Sequence, residues 1–534
     1  MSSLTVADAV ADELALAGVD RVFGLPGGEV LLLVEALRAR GIAFQLCRHE
    51  ADAGIAAAVY GTLKGTTGVV LTTLGPGASN LLMPMASSFL EREPLLAISA
   101  QIPTSWPDTY IHQRLPLLDL FRPITKLAEP LEPAGCRGLI RAAVAANLTE
   151  PHGPSFLTLS AEDAKAEARE STQPTPALRH TGSRQSPLEP RQAAVMVREL
   201  LASANKPLVA VGLGLRPQRA RALRAWLERW RLNVVVTPKV KGIVDETESN
   251  FVGVIGGMAI DRLMVQALRE ADLIIGVGLD PVEIDQNWHA ELPITWLLES
   301  PWATGAMPDD SLFTDHLGLL EELTRMDAPR QWSNSFIDIA QQRRELMTAP
   351  AQQPISPIAL VNALAEALPR GTIVTTDVGS HKYLFGQFWP STEPQTFFMS
   401  NGLSGMGYGL PAAIGAKLAR PELPVLAVLG DGGFAMNGME LESAVRLGAT
   451  PVVVVLADNS YSLIQFGQES RHLPRYGVDF DHIDTVAVAK ACGYDALRSE
   501  TSTEISAAVR DAVSANRPLL VEVPISLDSY SGII

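Results

Sequence analysis

The chain has 534 residues, 47% of them hydrophobic, which is enough for roughly three domains of about 150 to 200 residues, each with its own core. Fifty-nine acidic residues against 43 basic ones give a net charge of −16, which argues against nucleic acid or an anionic membrane surface as the main partner and leaves small anions open, since these bind locally. Cys47, Cys136 and Cys492 lack metal-ligand or disulfide spacing, no run approaches transmembrane length, and Met1–Gly18 lacks the basic and apolar regions of a secretion signal, so a soluble protein of the reducing cytoplasm is expected.

Residues 1–165 alternate helical and strand-like segments. Met1–Gly18 reads as an amphipathic helix, a strand lies in Val19–Gly28, a helix runs through Leu37, a strand precedes Glu50, a helix passes through Leu63 and a strand opens Gly68–Gly77. That alternation predicts a doubly wound parallel sheet. Arg48-His49-Glu50 sits where a strand ends and an alanine-rich helix begins, a place for a partly buried carboxylate, although a solvent-facing loop glutamate has the same local pattern. Leu25-Pro26-Gly27-Gly28 and Leu74-Gly75-Pro76-Gly77-Ala78-Ser79-Asn80 each follow a strand, and their glycines let backbone approach a planar ligand; taken alone they are ordinary turns.

A Pro, Ser, Thr and charge-rich stretch, Lys165 to Arg191, reads as a linker. Residues 191–325 form a second α/β unit with strands at Leu208–Gly212, Val234–Thr237 and Leu273–Val277. Val211-Gly212-Leu213-Gly214 opens like a dinucleotide-binding loop, but Gln218 and Arg219 stand where a third glycine belongs. A polar, helix-rich passage with proline near Ala351 to Pro357 leads to a third α/β unit, residues 356–534.

The stretch Pro424–Ile464 dominates that third unit. Leu426–Leu429 and Val452–Ala457 are unbroken apolar runs, the pattern of parallel strands buried on both faces, and Met439–Leu447 has helical spacing. Asp431 lies just beyond the first strand and Asn459 just beyond the second, so on neighbouring strands their side-chain oxygens converge on one cation of the Mg²⁺ or Ca²⁺ kind. Gly430, Gly432 and Gly433 leave the backbone bare at a helix N-terminus, a setting for a phosphate or diphosphate. A lone Gly-Asp-Gly is equally a tight turn between buried strands.

The whole pattern, GDGGF, the helix MELESAVRLG, an apolar strand and Asp458-Asn459, resembles the diphosphate-binding motif of the thiamine diphosphate (ThDP) enzymes. The resemblance implies three consecutive doubly wound parallel-sheet domains: pyrimidine-binding (1–165), central (191–325) and diphosphate- and metal-binding (356–534). It implies metal ligation by Asp431, Asn459 and the carbonyl of Tyr461. It assigns Glu50 the hydrogen bond to N1′ of the aminopyrimidine, which favours the imino tautomer that removes the thiazolium C2 proton. Pro26, Gly27 and Asn80 match pyrimidine-domain loops, and Asp377-Val378-Gly379-Ser380-His381 a diphosphate-contacting turn. In Ser400–Gly407, Met406 matches the bulky residue that supports the bent cofactor, with core filling as the plainer role, and the Gly402 carbonyl accepts from the aminopyrimidine.

Within that family the chain is most similar to the acetolactate synthases, especially the FAD-independent catabolic type. The matching pieces are His112-Gln113 with Leu120–Lys126, Gly278-Leu279-Asp280-Pro281-Val282-Glu283, the GDGGF segment and Val478-Asp479-Phe480. The similarity gives Gln113 a catalytic role, with His112 beside it unless that histidine is simply on a surface helix. It implies Mg²⁺ and no FAD, and a homodimer or homotetramer in which Glu50 serves a cofactor held by the partner chain. The implied reaction is decarboxylation of a 2-oxo acid with carboligation, two pyruvates giving 2-acetolactate and carbon dioxide. The alternatives are a decarboxylase or acyloin-forming enzyme for a larger or polar 2-oxo acid, and an oxidase of the pyruvate oxidase type.

Three segments depart from the family pattern: the loop Ser105–Ile111, the apolar Leu115–Leu118, and Tyr461–Phe466 with Leu463, which in relatives helps to cover the substrate. Such changes leave substrate choice open, because a pocket distinguishes one methylene by only about 1 to 3 kcal/mol. The final residues from Pro524 are expected to be short and not helical, unlike a membrane-binding tail.

Overall fold

Runs of valine, leucine and isoleucine without polar alternation have no face for water, and they line up here as three six-stranded, all-parallel sheets in a computed structural model. It describes residues 4–534 apart from 172–177, 180–186, 285–287, 290, 303–307, 333–334, 349–353, 531–532 and 534. The first sheet comprises β1 (Arg21–Leu25), β2 (Ala43–Leu46), β3 (Gly68–Thr72), β4 (Leu95–Gln101), β5 (Leu127–Pro130) and β6 (Ser155–Ser160), in the order β2-β1-β3-β4-β6-β5. The second has β7 (Pro207–Val211), β8 (Asn233–Val236), β9 (Phe251–Val254), β10 (Leu273–Val277), β11 (Ile294–Leu298) and β12 (Ser311–Phe313), ordered β12-β11-β10-β7-β8-β9. The third has β13 (Ile373–Thr376), β14 (Phe397–Met399), β15 (Val425–Gly430), β16 (Val452–Ala457), β17 (Asp495–Arg498) and β18 (Leu519–Pro524), ordered β14-β13-β15-β16-β18-β17.

The first and third sheets thus share one topology, and the second has the strand order of the doubly wound dinucleotide-binding fold. Every residue of β16 is buried, and fully burying one valine or leucine side chain contributes roughly 1.5 to 3 kcal/mol.

The chain divides into two compact units. The first contains the opening sheet (residues 1–181) together with segments 402–422 and 439–450; the second contains the other two sheets. The reason those late segments join the first unit is their small residues. Helix Gly409–Ala419 lies against helix Glu50–Lys64 so closely that a Cβ on Gly415 would stand 2.3 Å from the carbonyl oxygen of Ala56. In the second unit, buried Gln387 donates to the carbonyls of Val254 and Ala259, both at 3.0 Å, and so fastens helix Ser380–Phe388 to the end of β9 and the loop after it. A fully buried ion pair, Lys241–Glu246 at 2.5 Å, has Lys241 also donating to the carbonyl of Trp389.

Expected strands lie within a residue or two of the observed ones; the helix after the Gly-Asp-Gly turn spans Glu440–Leu447 rather than starting at Met439. The chain end is not free of helix, because Leu527–Tyr530 forms a 3-10 turn. Nearly half of the expected linker, 172–177 and 180–186, lies outside the described residues, as do 351–353 of the proline passage. The early part of that linker is ordered by isolated bridges, Thr5 to Glu167 and Ala134 to Arg169. Among the described residues no helix is long and apolar enough to cross a membrane.

Candidate active site

In the second unit, β13, β15 and β16 run side by side, and at their carboxyl ends stand Asp377, Asp431 and the Asp458-Asn459 pair. Parallel sheets collect ligands at such ends, and β13/β15 is where the strand order reverses. Asp431 opens helix Asp431–Asn437 and is 6% exposed. Its Oδ1 accepts the N–H of Gly432 at 2.9 Å, and its Oδ2 accepts those of Asn459 at 2.7 Å and Asp458 at 3.1 Å. The backbone of Asn459, rather than its side chain, therefore meets Asp431. Asn459 itself is exposed and left-handed, with φ 56°, a conformation asparagine tolerates.

Burial pushes the Asp431 carboxyl above its ordinary range. Burial, and then the charge of Asp431, push Asp458 up to about 7. A buried acid beside a half-buried one is a setting that a divalent cation would relieve. Among the described residues, no group of three or more His, Cys, Asp or Glu forms a metal cluster; a carboxylate with an amide and a backbone carbonyl is a different donor set. Of that set, the Tyr461 carbonyl already accepts the N–H groups of Ile464 and Gln465 at 2.9 and 3.1 Å, capping helix Ser462–Ser470, on which Leu463 is half-buried.

Glycine is required around this turn by contact. A Cβ on Gly433 would lie 2.3 Å from Asp377 Oδ2; one on Gly379, φ 156°, would lie 2.8 Å from His381 Cε1. His381 is packed between the Gly379 turn and Gly430, where a Cβ would be 3.2 Å away. Burial pushes its imidazole down to about 4, so the ring is neutral near pH 7, and its buried Nε2 has no hydrogen-bond partner among the described residues. Val378 donates its N–H to Asp377 Oδ1 at 2.7 Å, and the hydroxyls of Ser380 and Ser462 meet at 2.8 Å.

In the first unit, Glu50 is the first residue of helix Glu50–Lys64 and is 9% exposed, so it is not the loop glutamate that its local sequence also allowed. Asn80 Nδ2 donates to Glu50 Oε2 at 2.9 Å, while Oε1 lies 3.3 Å from where a Cβ on Gly77 would be. Gly27 presses on the end of β3: its Cβ would stand 2.3 Å from Thr73 Oγ1, which donates to Glu29 at 2.8 Å. Gly75, φ 59°, leaves 2.9 Å between its absent Cβ and the Cβ of Gln113. Glu50, Asn80, Gln113 and the Pro26-Gly27 turn thus gather around the loop after β3. His112 lies in an exposed turn, not on a helix, with its ring 6.4 Å from that of Tyr110. Gly402 and Met406 belong to this unit too: Gly402 donates its N–H to buried Glu91 at 2.7 Å, and Met406 is half-buried.

In the central sheet, the carboxyl-end crevice between β7 and β10 is filled by the protein itself. Glu283, 1% exposed, accepts the N–H of Leu213 at 2.8 Å and the hydroxyl of Thr237, and a Cβ on Gly212 would lie 2.7 Å from its Oε2.

Comparison with known proteins agrees with this geometry. Family models match as "Thiamine pyrophosphate enzyme, N-terminal TPP binding domain" over residues 4–120, as the central domain of that family over 196–295, and as its C-terminal TPP binding domain over 377–523. The chain is 30% identical to an acetolactate synthase of Bacillus subtilis, across 97% of this chain and 93% of that protein. It belongs to the acetolactate synthase family of thiamine pyrophosphate enzymes. Similar relatives include a catabolic acetolactate synthase of Raoultella terrigena, 30% identical over 97% of this chain and 94% of that one, and the large subunit of Escherichia coli acetolactate synthase isozyme 2, 30% identical over 97% and 94%.

The residues of this acetolactate synthase relative fit thiamine pyrophosphate (ThDP). The unpartnered buried Nε2 of His381 is a donor or acceptor for a polar group, and the backbone at Gly430 and Gly433 is crowded by His381 and Asp377 so that a side chain there would intrude. Two neighbours of the site were not legible as such in the sequence. Glu91, which holds Gly402, announces itself only as part of a charged Glu91-Arg92-Glu93 triplet in apolar surroundings, and Ser462 has no local signal.

Proposed function

We propose that this chain is a ThDP- and Mg²⁺-dependent carboligase that decarboxylates a 2-oxo acid and joins the remainder to a second one, most simply two pyruvates to 2-acetolactate and carbon dioxide. The observation that carries the reading is the buried Glu50 carboxylate, held on one oxygen by Asn80 at 2.9 Å and sharing its glycine loop with Gln113. When bound, the cofactor supplies a nucleophilic thiazolium carbon and an electron sink for decarboxylation. The chain's own residues do the rest. Asp431, Asn459 and Tyr461 hold the metal, and Gly430, Gly432, Gly433, Val378, Gly379, Ser380 and His381 bind the diphosphate. Pro26, Gly27, Gly402 and Met406 seat the ring, with Leu463 over the site. Glu50 holds and returns a proton at the pyrimidine N1′. Gln113, with His112 beside it, faces the acceptor substrate.

The domain limits we propose are 1–165, 191–325 and 356–534. Glu50 serves a cofactor held by a second copy of the chain, so the working form is a homodimer or homotetramer, in the cytoplasm. It works without FAD, a reading supported by the carboxyl of Glu283 in the central crevice, where a dinucleotide phosphate would meet an acid instead of free N–H groups. A larger 2-oxo acid is a second reading, favoured by Trp106 and Tyr110, which stack edge-to-face at 4.7 Å and are exposed, with Ile111, just before His112-Gln113.

The test is incubation with ThDP, Mg²⁺ and pyruvate without added flavin, quantifying 2-acetolactate and acetaldehyde by mass-resolved product analysis. Acetolactate as the main product is the expected result. If neither product forms while ThDP is bound, the pyruvate assignment fails and larger 2-oxo acids take its place.

A further inference from the structure

The approach to Glu50 is gripped by a helix from far along the chain, Glu440–Leu447. Arg48 and His49, the two residues before Glu50, both direct their N–H groups to Glu440 Oε1, at 2.6 and 3.1 Å. Glu440 is 2% exposed. Two residues on, Glu442 pairs with the Arg48 guanidinium at 2.6 Å, and Arg446 donates to the carbonyl of Leu46 at 2.7 Å while bracing Glu442 at 3.1 Å. One short helix therefore engages both the donors and the acceptors of Leu46–His49, and none of these side chains has a part in the functions assigned above.

The consequence runs through the start of the next helix. His49 is its N-cap, extended at φ −142° and ψ 144°, with Nδ1 accepting the N–H of Ala51 at 3.1 Å. The direction in which the helix leaves, and so the position of Glu50 as its first residue, follows from where the His49 backbone is anchored. That anchor is Glu440. At the far end of the side chain Asn80 holds Oε2 at 2.9 Å. With the backbone set by one contact and the carboxylate by the other, Oε1 has one place to be. Misplacing a catalytic group by about 1 Å costs roughly a hundredfold in rate.

We propose that Glu440 is a positioning residue that fixes the Glu50 carboxylate toward the cofactor. This rests on the reading of Glu50 as the residue that meets the pyrimidine.

The full-length holoprotein, loaded with ThDP and Mg²⁺, is followed by NMR for exchange of the thiazolium C2 proton with deuterium, with Glu50→Gln as the reference for complete loss. In Glu440→Ala, exchange is expected to fall by about tenfold or more, with ThDP affinity within about twofold of wild type. In the apo chain the amides of Arg48 and His49 lose their protection from hydrogen exchange. Glu440→Gln keeps an acceptor oxygen at the same reach and recovers exchange to within about threefold. Should Glu440→Ala not fold, Glu440→Asp, which draws the acceptor back by one methylene, is expected to show the same tenfold loss. Wild-type exchange in whichever of these two variants folds overturns the proposal, as does a loss in Glu440→Gln as deep as theirs. If Glu50→Gln exchanges like wild type, the reading of Glu50 falls and this one with it. Loss in Glu50→Gln alone removes only the role of Glu440.

Discussion

Glu283→Gln isolates one buried acid whose protonation the fold dictates. Burial first, and the neighbouring charge of Asp280 after it, push the Glu283 carboxyl from its ordinary 4.5 up to about 8, against the lowering effect of Thr237 and the Leu213 N–H. Near neutrality the folded chain therefore carries this group protonated and the unfolded chain carries it ionised. Folding takes up a proton over that window, so the contribution of the site to stability is fully present below pH 4.5 and is lost as pH rises toward 8. At about 1.4 kcal/mol per pH unit, the two units between pH 5 and pH 7 weaken the wild-type chain by about 3 kcal/mol. Glutamine mimics the neutral acid: its amide donates toward Thr237 and its oxygen accepts from Leu213, with no proton to lose. Glu283→Gln should match wild type near pH 5 and exceed it by about 3 kcal/mol at pH 7. Urea unfolding of both chains at pH 5, 6 and 7, read by tryptophan fluorescence, checks this, since six of the eight tryptophans, Trp226, Trp230, Trp288, Trp296, Trp302 and Trp332, lie at or near the central sheet. A difference between the two chains that does not change with pH, or that favours wild type as pH rises, refutes the reasoning.

Glu50→Gln should fold and bind ThDP with Mg²⁺ as wild type does and lose most turnover; wild-type steady-state rates in that variant would show that the acid lies elsewhere. Asp431→Asn keeps one acceptor oxygen, enough for the Asp458 and Asn459 N–H groups, but gives up the acceptor for Gly432 and removes the charge, so metal-dependent ThDP affinity should fall on the order of tenfold or more, measured by titrating apo-protein. Gly433→Ala puts a methyl 2.3 Å from the buried Asp377 carboxylate and should lower stability by about 1 to 3 kcal/mol and weaken ThDP binding with it; thermal midpoints and the same titration decide, and an unchanged midpoint means the contact yields freely.

The local chemistry of the sequence determined the α/β class, the strands and the turns after them. An unbroken run such as Val452–Ala457 has no polar face and is buried wherever it goes, and a Gly-Asp-Gly turn needs its bare backbone whatever surrounds it. Those features are carried by residues within a few positions of each other, so Asp431, Asn459 and Glu50 stood out in the sequence as candidates. The tertiary structure alone decided what holds them. Gly402 and Glu91 are 311 positions apart, and Arg48 and Glu440 are 392 apart, separations at which no periodicity links partners. It also decided that segments 402–422 and 439–450 pack with the first sheet, because the Ala56 and Gly415 surfaces can close only where two helices of small residues meet. The same holds for Glu283, whose acid becomes unusual only once β7 and β10 lie side by side and close the crevice around it.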